Sequence, residues 1–297
     1  MYEIENAFKK FKNDLDLSLD MGVVDYIGIN IAENNSSLYE FKVYYAEEYS
    51  LNIAHPFIDF LLEKEMLCYR EKVNNEKNGI KRIDIALKNR NNKNILSMFE
   101  WLTVNTSMFS RIQTEVNRLA QMKITELKNF DYSSLYHVSF VAQNEKIKVI
   151  KFHFLNRMCK NPDTIDINIR YDNRYYSDYL SMCNLLNFDK VLNTVNLLIK
   201  IHGGDFWMTG VDYKDDSDYL KYKIYIKNIS DFYGALTDTF LLKGFDETSG
   251  IIQKIKCVKE WNEEHFEFIC VGVAIGVDVK NEFIVNFYFQ YDEKLFE

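Results

Sequence analysis

The sequence predicts an α+β fold: a ten-stranded antiparallel β-barrel of five hairpins surrounded by helices. Three observations lead there. β-rich stretches recur in pairs across short polar turns, and helical-period sequence lies between the pairs. The 297 residues also include 20 Tyr and 22 Phe against only 2 Pro and 11 Gly, a balance that suits regular structure with an aromatic-lined interior.

The elements follow in chain order. Residues 1–14 are charged and helix-like. The first hairpin joins residues 24–31 to 39–45 across the turn at 33–37. Residues 56–69 are apolar enough for a packed helix, with Pro56 in its first turn. The second hairpin pairs 81–87 with 96–102 across the Asn-rich run 89–94. Met108, Ile112, Val116, Leu119 and Ala120 then form a helical stripe. The third hairpin joins 135–141 to 148–154. Residues 165–171 read as a strand outside the hairpins, an edge strand or a partner of 175–180. Val191, Val195 and Leu198 mark a helix stopped by Gly203 and Gly204. The fourth hairpin joins 206–213 to 219–226, its turn carrying Asp215, Asp216 and Asp218. Helices over 231–242 and 251–262 precede the fifth, which joins 268–275 to 283–289. No Pro-, Gly- or Ser-rich linker divides the chain, so residues 1–297 read as a single domain.

An antiparallel sheet of ten strands tends to close, because closure removes exposed edges. Its barrel is wider than the eight-stranded kind that side chains just fill. Helices outside then require apolar outward strand faces, which frees the inward faces to be polar.

Composition excludes several classes. A formal charge of −8 opposes general nucleic-acid binding, which needs basic surface. No apolar run approaches the ~20 residues of a membrane span, and the N-terminal sequence does not read as a signal peptide. Cys68, Cys159, Cys183, Cys257 and Cys270 lack metal-ligand spacing. Their scatter suggests reduced thiols in a cytoplasmic protein. There is neither a phosphate-binding Gly-rich loop ending in Lys-Ser/Thr nor a Gly-x-Ser-x-Gly elbow.

The second strands of the hairpins share a pattern. They contain Lys42-Val-Tyr44, Lys151-Phe-His153, Lys221-Tyr-Lys223-Ile-Tyr225 and Asn286-Phe-Tyr288. In each, a cationic or amide side chain precedes a polar ring by two residues, so both share one strand face. If those faces meet in one lumen, Lys42, Lys151, Lys221 and Lys223 converge, flanked by Tyr44, His153, Tyr225 and Tyr288. Like charges gathered at low dielectric repel and call for a multiply charged anion. A diphosphate fits, with lysines as point charges and tyrosine hydroxyls as neutral donors; the ring faces could also shield a carbocation. The competing reading is a solvated face of alternating lysines.

With these residues in view, the chain resembles the ABBA-barrel aromatic prenyltransferases, both the indole type and the cyanobactin-type peptide prenyltransferases. Lys221-Tyr-Lys-Ile-Tyr225 is similar to the basic-x-Lys-x-Tyr strand of the indole type. Lys151-Phe-His153 is similar to the family's Lys-x-Tyr or Lys-x-His strand, and the last hairpin, through Asn286 and Tyr288, resembles that of the peptide-modifying branch. The resemblance implies transfer of an allylic group, dimethylallyl or geranyl, from its diphosphate to an aromatic acceptor, a Tyr or Trp side chain, free or in a peptide. By carry-over Lys42, Lys151, Lys223 and Tyr225 bind diphosphate, while Tyr44, His153 and Tyr288 shield the cation. The family's acid on the first strand has only Asp25 as counterpart here, with Glu33 beyond the strand end. The second hairpin has no Lys-x-Tyr. No Asp-Asp-x-x-Asp metal motif is present, which agrees with a family where Mg2+ is optional or held through diphosphate oxygens; no organic cofactor is expected. The alternative function is a non-catalytic binding or interaction protein with the same β-hairpin–helix repeat.

Overall fold

A computed structural model describes residues 2–14, 24–34, 39–45, 55–75, 81–106, 135–143, 146–155, 188–214, 220–277 and 280–291. Side chains at 12–14, 24–25, 45, 69–75, 81, 92, 143, 154–155, 188, 209, 211–214, 220–222 and 291 lie outside the description. The stripe at 108–120, the strand at 165–171 with its partner 175–180, and the acidic turn at 215–218 also lie outside the described residues.

The chain runs α1 (Tyr2–Asp14), β1 (Val24–Ala32), β2 (Glu40–Tyr45), α2 (Pro56–Glu63), β3 (Leu67–Asn75), β4 (Lys81–Leu87) and α3 (Asn92–Asn105). It continues β5 (Leu135–Gln143), β6 (Lys146–Leu155), α4 (Phe188–His202), β7 (Asp205–Lys214), β8 (Leu220–Lys227), α5 (Phe232–Leu242), α6 (Gly250–Glu264), β9 (Phe268–Val277) and β10 (Phe283–Tyr291). Every strand pairs antiparallel with its sequence neighbours. β1 also pairs with β10, Ile27 opposite Phe289 and Asn30 opposite Asn286, so the sheet closes on itself. Neither edge is left to recruit a foreign strand. Among the described residues, no helix is long and apolar enough to cross a membrane.

The second hairpin is not the one the sequence suggested. β4 pairs with β3 at 67–75, and residues 96–102 lie in α3. The Asn-rich run is a strand-to-helix junction: Asn89 takes a left-handed φ of 49°, and the Asn91 side chain accepts from the Asn94 backbone N–H at 2.9 Å. Ile95, Met98, Phe99 and Leu102 are buried, the i, i+3, i+4, i+7 stripe of a helix. The helix expected over 56–69 stops at Glu63. Glu65, at φ 53°, occupies the left-handed position usually held by glycine. The Met66 N–H returns to the Leu61 carbonyl at 2.8 Å and that of Glu65 to Leu62 at 2.9 Å, a Schellman ending. A helix stop without glycine left no mark in the sequence.

Elsewhere local chemistry and fold agree. α4 ends at Gly203, whose φ is 74°. Asp231 caps α5 by accepting from the Tyr233 and Gly234 N–H groups, both at 3.0 Å. Asp231→Ala is expected to cost about 1 kcal/mol, measurable by urea denaturation.

The hydrophobic core lies outside the barrel, between strands and helices. Ile27, Ile29 and Ile31 of β1, Phe41 and Val43 of β2, and Phe283, Val285, Phe287 and Phe289 of β10 are buried there. Phe8 of α1 and Trp261 of α6 meet with ring centroids 5.1 Å apart and sit over Phe41 at 5.2 and 5.5 Å. Phe57 of α2 covers Phe140 at 5.5 Å, Phe99 of α3 covers Phe152 at 5.3 Å, and Phe240 of α5 covers Phe283 at 5.1 Å. Each fully buried ring contributes roughly 1.5–3 kcal/mol over exposure. With alternation at period two, this outward packing sends the other half of each strand inward.

Candidate functional site

Much of what points inward is polar, with Met208 and Ala274 among the apolar exceptions. From β2 come Lys42 and Tyr44, from β4 Arg82 and Asp84, from β5 His137 and Ser139, and from β6 Lys151 and His153. β8 adds Lys223 and Tyr225, and β10 adds Asn286 and Tyr288. Lys151 is 7% exposed and Lys223 4%, values incompatible with a solvated lysine face.

One end of the lumen holds a cavity of about 570 Å³ lined by Tyr44, Arg82, Asp84, His153, Tyr225 and Tyr288 among others. That volume suits a small-molecule site. The rings form a nearly continuous wall. Centroid separations are 6.4 Å for Tyr26–Tyr44, 6.1 Å for Tyr44–Tyr288, 5.8 Å for Tyr288–Tyr225 and 5.5 Å for Tyr225–His153. His137 lies 6.1 Å from His153, and Tyr136 stacks on His137 at 4.2 Å. Lys42, Lys151, Lys223 and Asn286 stand one inward position further along the same strands, beyond this wall.

Two glycines make the wall fit. A Cβ on Gly210 would lie 3.1 Å from Cε2 of Tyr225 and 3.2 Å from Cδ2 of His153. These two side chains meet at 3.2 Å between the His153 Nε2 and the Tyr225 hydroxyl. Gly210→Ala is expected to separate them and cost about 1–3 kcal/mol by overpacking. Gly28→Ala meets only the Tyr44 ring closely, at 3.3 Å, and is expected to cost less; thermal melts of the two variants check the order.

The electrostatics are those of a cation-rich, desolvated chamber. Burial, offset in part by Glu40, lowers the Lys42 pKa, and Arg82 and Lys151 push it in the same downward direction as burial. Glu40 lies 3.4 Å from Lys42 and accepts from the Asn30 amide at 3.0 Å. Arg82 and Asp84 form a fork: Nε donates to Oδ1 at 2.9 Å and a terminal nitrogen to Oδ2 at 2.8 Å. Burial would raise the Asp84 pKa, but Arg82, then His153, hold it below the usual carboxylate range. The same guanidinium donates to the Tyr44 hydroxyl at 3.4 Å and lies 5.6 Å from its ring centroid. Burial, then the Lys151 charge, keeps His153 well below its ordinary pKa. Burial also lowers His137, to about 4.

Both imidazoles are therefore neutral at pH 7, with a consequence for stability. An unfolded histidine titrates near about 6.5, so between pH 6.5 and 4 the unfolded chain binds more protons at His137 than the folded one. Stability is fully present above that window and falls as pH drops through it, by on the order of 2–3 kcal/mol for this residue. Melts from pH 7 to 4 should show the loss, and His137→Phe should reduce it, leaving the part that His153 contributes.

The structure thus brings Lys42, Lys151, Lys223, Tyr44, His153, Tyr225 and Tyr288 to one lumen. The Lys221 and Asp25 side chains lie outside the described residues, though their backbones belong to β8 and β1. Sequence reading missed Arg82, Asp84, His137 and Glu40 as lumen residues. The signal for the first two was present, a cation two residues before a polar group on a strand, but it was hidden by the wrong partner for β4. Among the described residues, no group of three or more His, Cys, Asp or Glu is placed to hold a metal ion.

No protein-family model matches the chain, and no curated protein sequence matches it. Solved structures do. NotF prenyltransferase superposes with a TM-score of 0.57 at 9% identity, over 91% of this chain and 80% of that one. NotF in complex with brevianamide F and DMSPP gives 0.52 at 8% identity, over 91% and 80%. AnaPT from Neosartorya fischeri gives 0.50 at 9% identity, over 90% and 78%. At such identity the likeness is one of fold: the chain has the architecture of these prenyltransferases.

Proposed function

We propose that the chain is an aromatic prenyltransferase, moving an allylic group from its diphosphate to an aromatic acceptor. One observation carries the reading: Lys42, Arg82, Lys151 and Lys223 enter a single lumen beside a wall of Tyr44, His153, Tyr225 and Tyr288. The fold shared with NotF and AnaPT supports it, and the NotF complex with brevianamide F and DMSPP supports a paired donor and acceptor.

In this reading the diphosphate sits among the lysines, Lys221 included, with the Tyr225 hydroxyl as a neutral donor. As the allylic C–O bond breaks, the electron pair leaves with the diphosphate, and Lys42, Lys151 and Lys223 stabilise that growing charge. The rings of Tyr44, Tyr225 and Tyr288, with neutral His153, present their faces to the allyl cation and exclude water that would trap it. Mg2+ would enter on the diphosphate oxygens rather than on a dedicated carboxylate cluster. We place the acceptor as a Tyr or Trp side chain, in a peptide or free. Among the described residues, Cys68, Cys257 and Cys270 are in no disulfide, which fits a cytoplasmic setting.

The test has two steps. Inorganic pyrophosphate should raise the melting temperature, with about 2.7 kcal/mol of stabilisation at a hundred times its dissociation constant. Incubation with dimethylallyl or geranyl diphosphate and a panel of indoles and phenols should then give mass shifts of one allylic group. A protein that pyrophosphate leaves unmoved is the non-catalytic binding protein instead.

A further inference from the structure

The internal repeat breaks at one place. Each second strand brings a cation or amide inward and follows it, two residues on, with a polar ring: Lys42 with Tyr44, Lys151 with His153, Lys223 with Tyr225, Asn286 with Tyr288. On β4 the cation is Arg82, but the following position is Asp84. A carboxylate thus replaces a ring in the wall, and among the described residues no other carboxylate lines the cavity. It is 7% exposed and held by the Arg82 fork at 2.8 and 2.9 Å.

A buried carboxylate is costly, and a wall meant only to shield a cation has no need of one. Its partner explains how it can act. Arg82 donates to the hydroxyl of Tyr44 at 3.4 Å, and Lys42 stands two residues before Tyr44 on the same strand face, so a diphosphate held there competes with Asp84 for the guanidinium. The wall carboxylate then has lone pairs to offer across the cavity.

Resting on the prenyl-transfer reading, we propose that Asp84, not a first-strand acid, is the catalytic residue that engages the acceptor. It accepts the ring N–H of an indole or the O–H of a phenol and takes that proton. The balance is closed: the allylic C–O electron pair leaves with the diphosphate, and the acceptor's nitrogen or oxygen bonds the allylic carbon. The N–H or O–H proton passes to the Asp84 carboxylate, which later releases it to water. Donor binding precedes acceptor activation, because the anion must first draw Arg82 aside. The substrate class follows: indoles and phenols with a free N–H or O–H, in preference to N-methylindole or anisole.

The experiment compares the wild type, Asp84→Asn and the double variant Arg82→Gln/Asp84→Asn, which leaves no uncompensated charge should the single variant fail to fold. Three readouts are taken: the melting shift with pyrophosphate, hydrolysis of dimethylallyl diphosphate to its alcohol, and transfer to indole, phenol, N-methylindole and anisole. Asp84→Asn should bind pyrophosphate at least as tightly as the wild type, since a negative charge has gone. It should still hydrolyse the donor, and it should lose transfer to indole and phenol by about 10²–10⁴-fold. A purely structural aspartate would not separate hydrolysis from transfer. Wild-type transfer in either folded variant overturns the proposal, as does a wild type that hydrolyses the donor yet prenylates no indole or phenol. A wild type that ignores pyrophosphate instead removes the prenyl-transfer reading itself.

Discussion

Lys151→Met is expected to reduce allylic transfer about 10²–10³-fold and to shrink the pyrophosphate-induced melting shift, with the barrel still folded. Lys151 is 7% exposed on the inward face of β6, so its charge is neither dispersed in water nor screened by salt as a surface lysine's would be. Without an anion it opposes its neighbours: together with burial and Arg82 it disfavours the charged form of Lys42, and it helps keep His153 neutral. A diphosphate entering the lumen relieves that mutual repulsion. Met keeps most of the aliphatic stem and so removes the charge without leaving a large void. Loss of one preorganised electrostatic group costs about 3–4 kcal/mol of transition-state stabilisation, which is the fold-change above. Lys223→Met should act in the same direction. Parallel transfer assays and thermal shifts check both, and wild-type values for either lysine remove it from the diphosphate site.

The strands were legible because both faces carry information. β1 reads Tyr26, Gly28 and Asn30 inward against Ile27, Ile29 and Ile31 outward, and the period of two survives any change of partner. Partner choice was less legible. β4 is evident in the sequence at 81–87, but the sequence points downstream for its mate, because Leu96, Met98 and Trp101 carry the bulk of a strand, while the helical stripe of Ile95, Met98, Phe99 and Leu102 is interrupted by polar residues. The true mate, β3, was absorbed into the preceding helix, since Glu65 ends α2 in a conformation that only a glycine would have advertised. This local error had a functional cost: it hid Arg82 and Asp84, whose meaning depends on β4 being the second strand of a hairpin like the others. Lys42, Lys151 and Lys223 were found because their Lys-x-ring spacing needs no knowledge of pairing. The inverted core was also foreseeable, since helices on the outside can bury themselves only on apolar strand faces.

Arg82→Leu is expected to be the most destabilising single change in the lumen, by about 3–5 kcal/mol at pH 7, because it strands the Asp84 carboxylate in a low-dielectric wall. The double variant Arg82→Leu/Asp84→Leu should recover much of that loss, since no uncompensated charge remains. The pH dependence separates this cause from poor packing. In the wild type Arg82 outweighs burial and keeps the Asp84 pKa low, so this residue's contribution is present at neutral pH and is lost as pH falls through that lowered value. In Arg82→Leu the strongest opposing group is gone, and burial, set only against His153 and the Ser139 hydroxyl, raises the same carboxyl. The folded variant then binds the proton more readily than its unfolded chain does, and stability returns as pH falls through the raised value. The gap between wild type and variant should therefore narrow on acidification, and His153, which Arg82 also pushes down, is released in the variant and adds in the same direction. Urea denaturation at pH 7 and pH 5 measures it; a gap that stays constant across that range means the cost is one of packing and that the guanidinium is not what holds Asp84 charged.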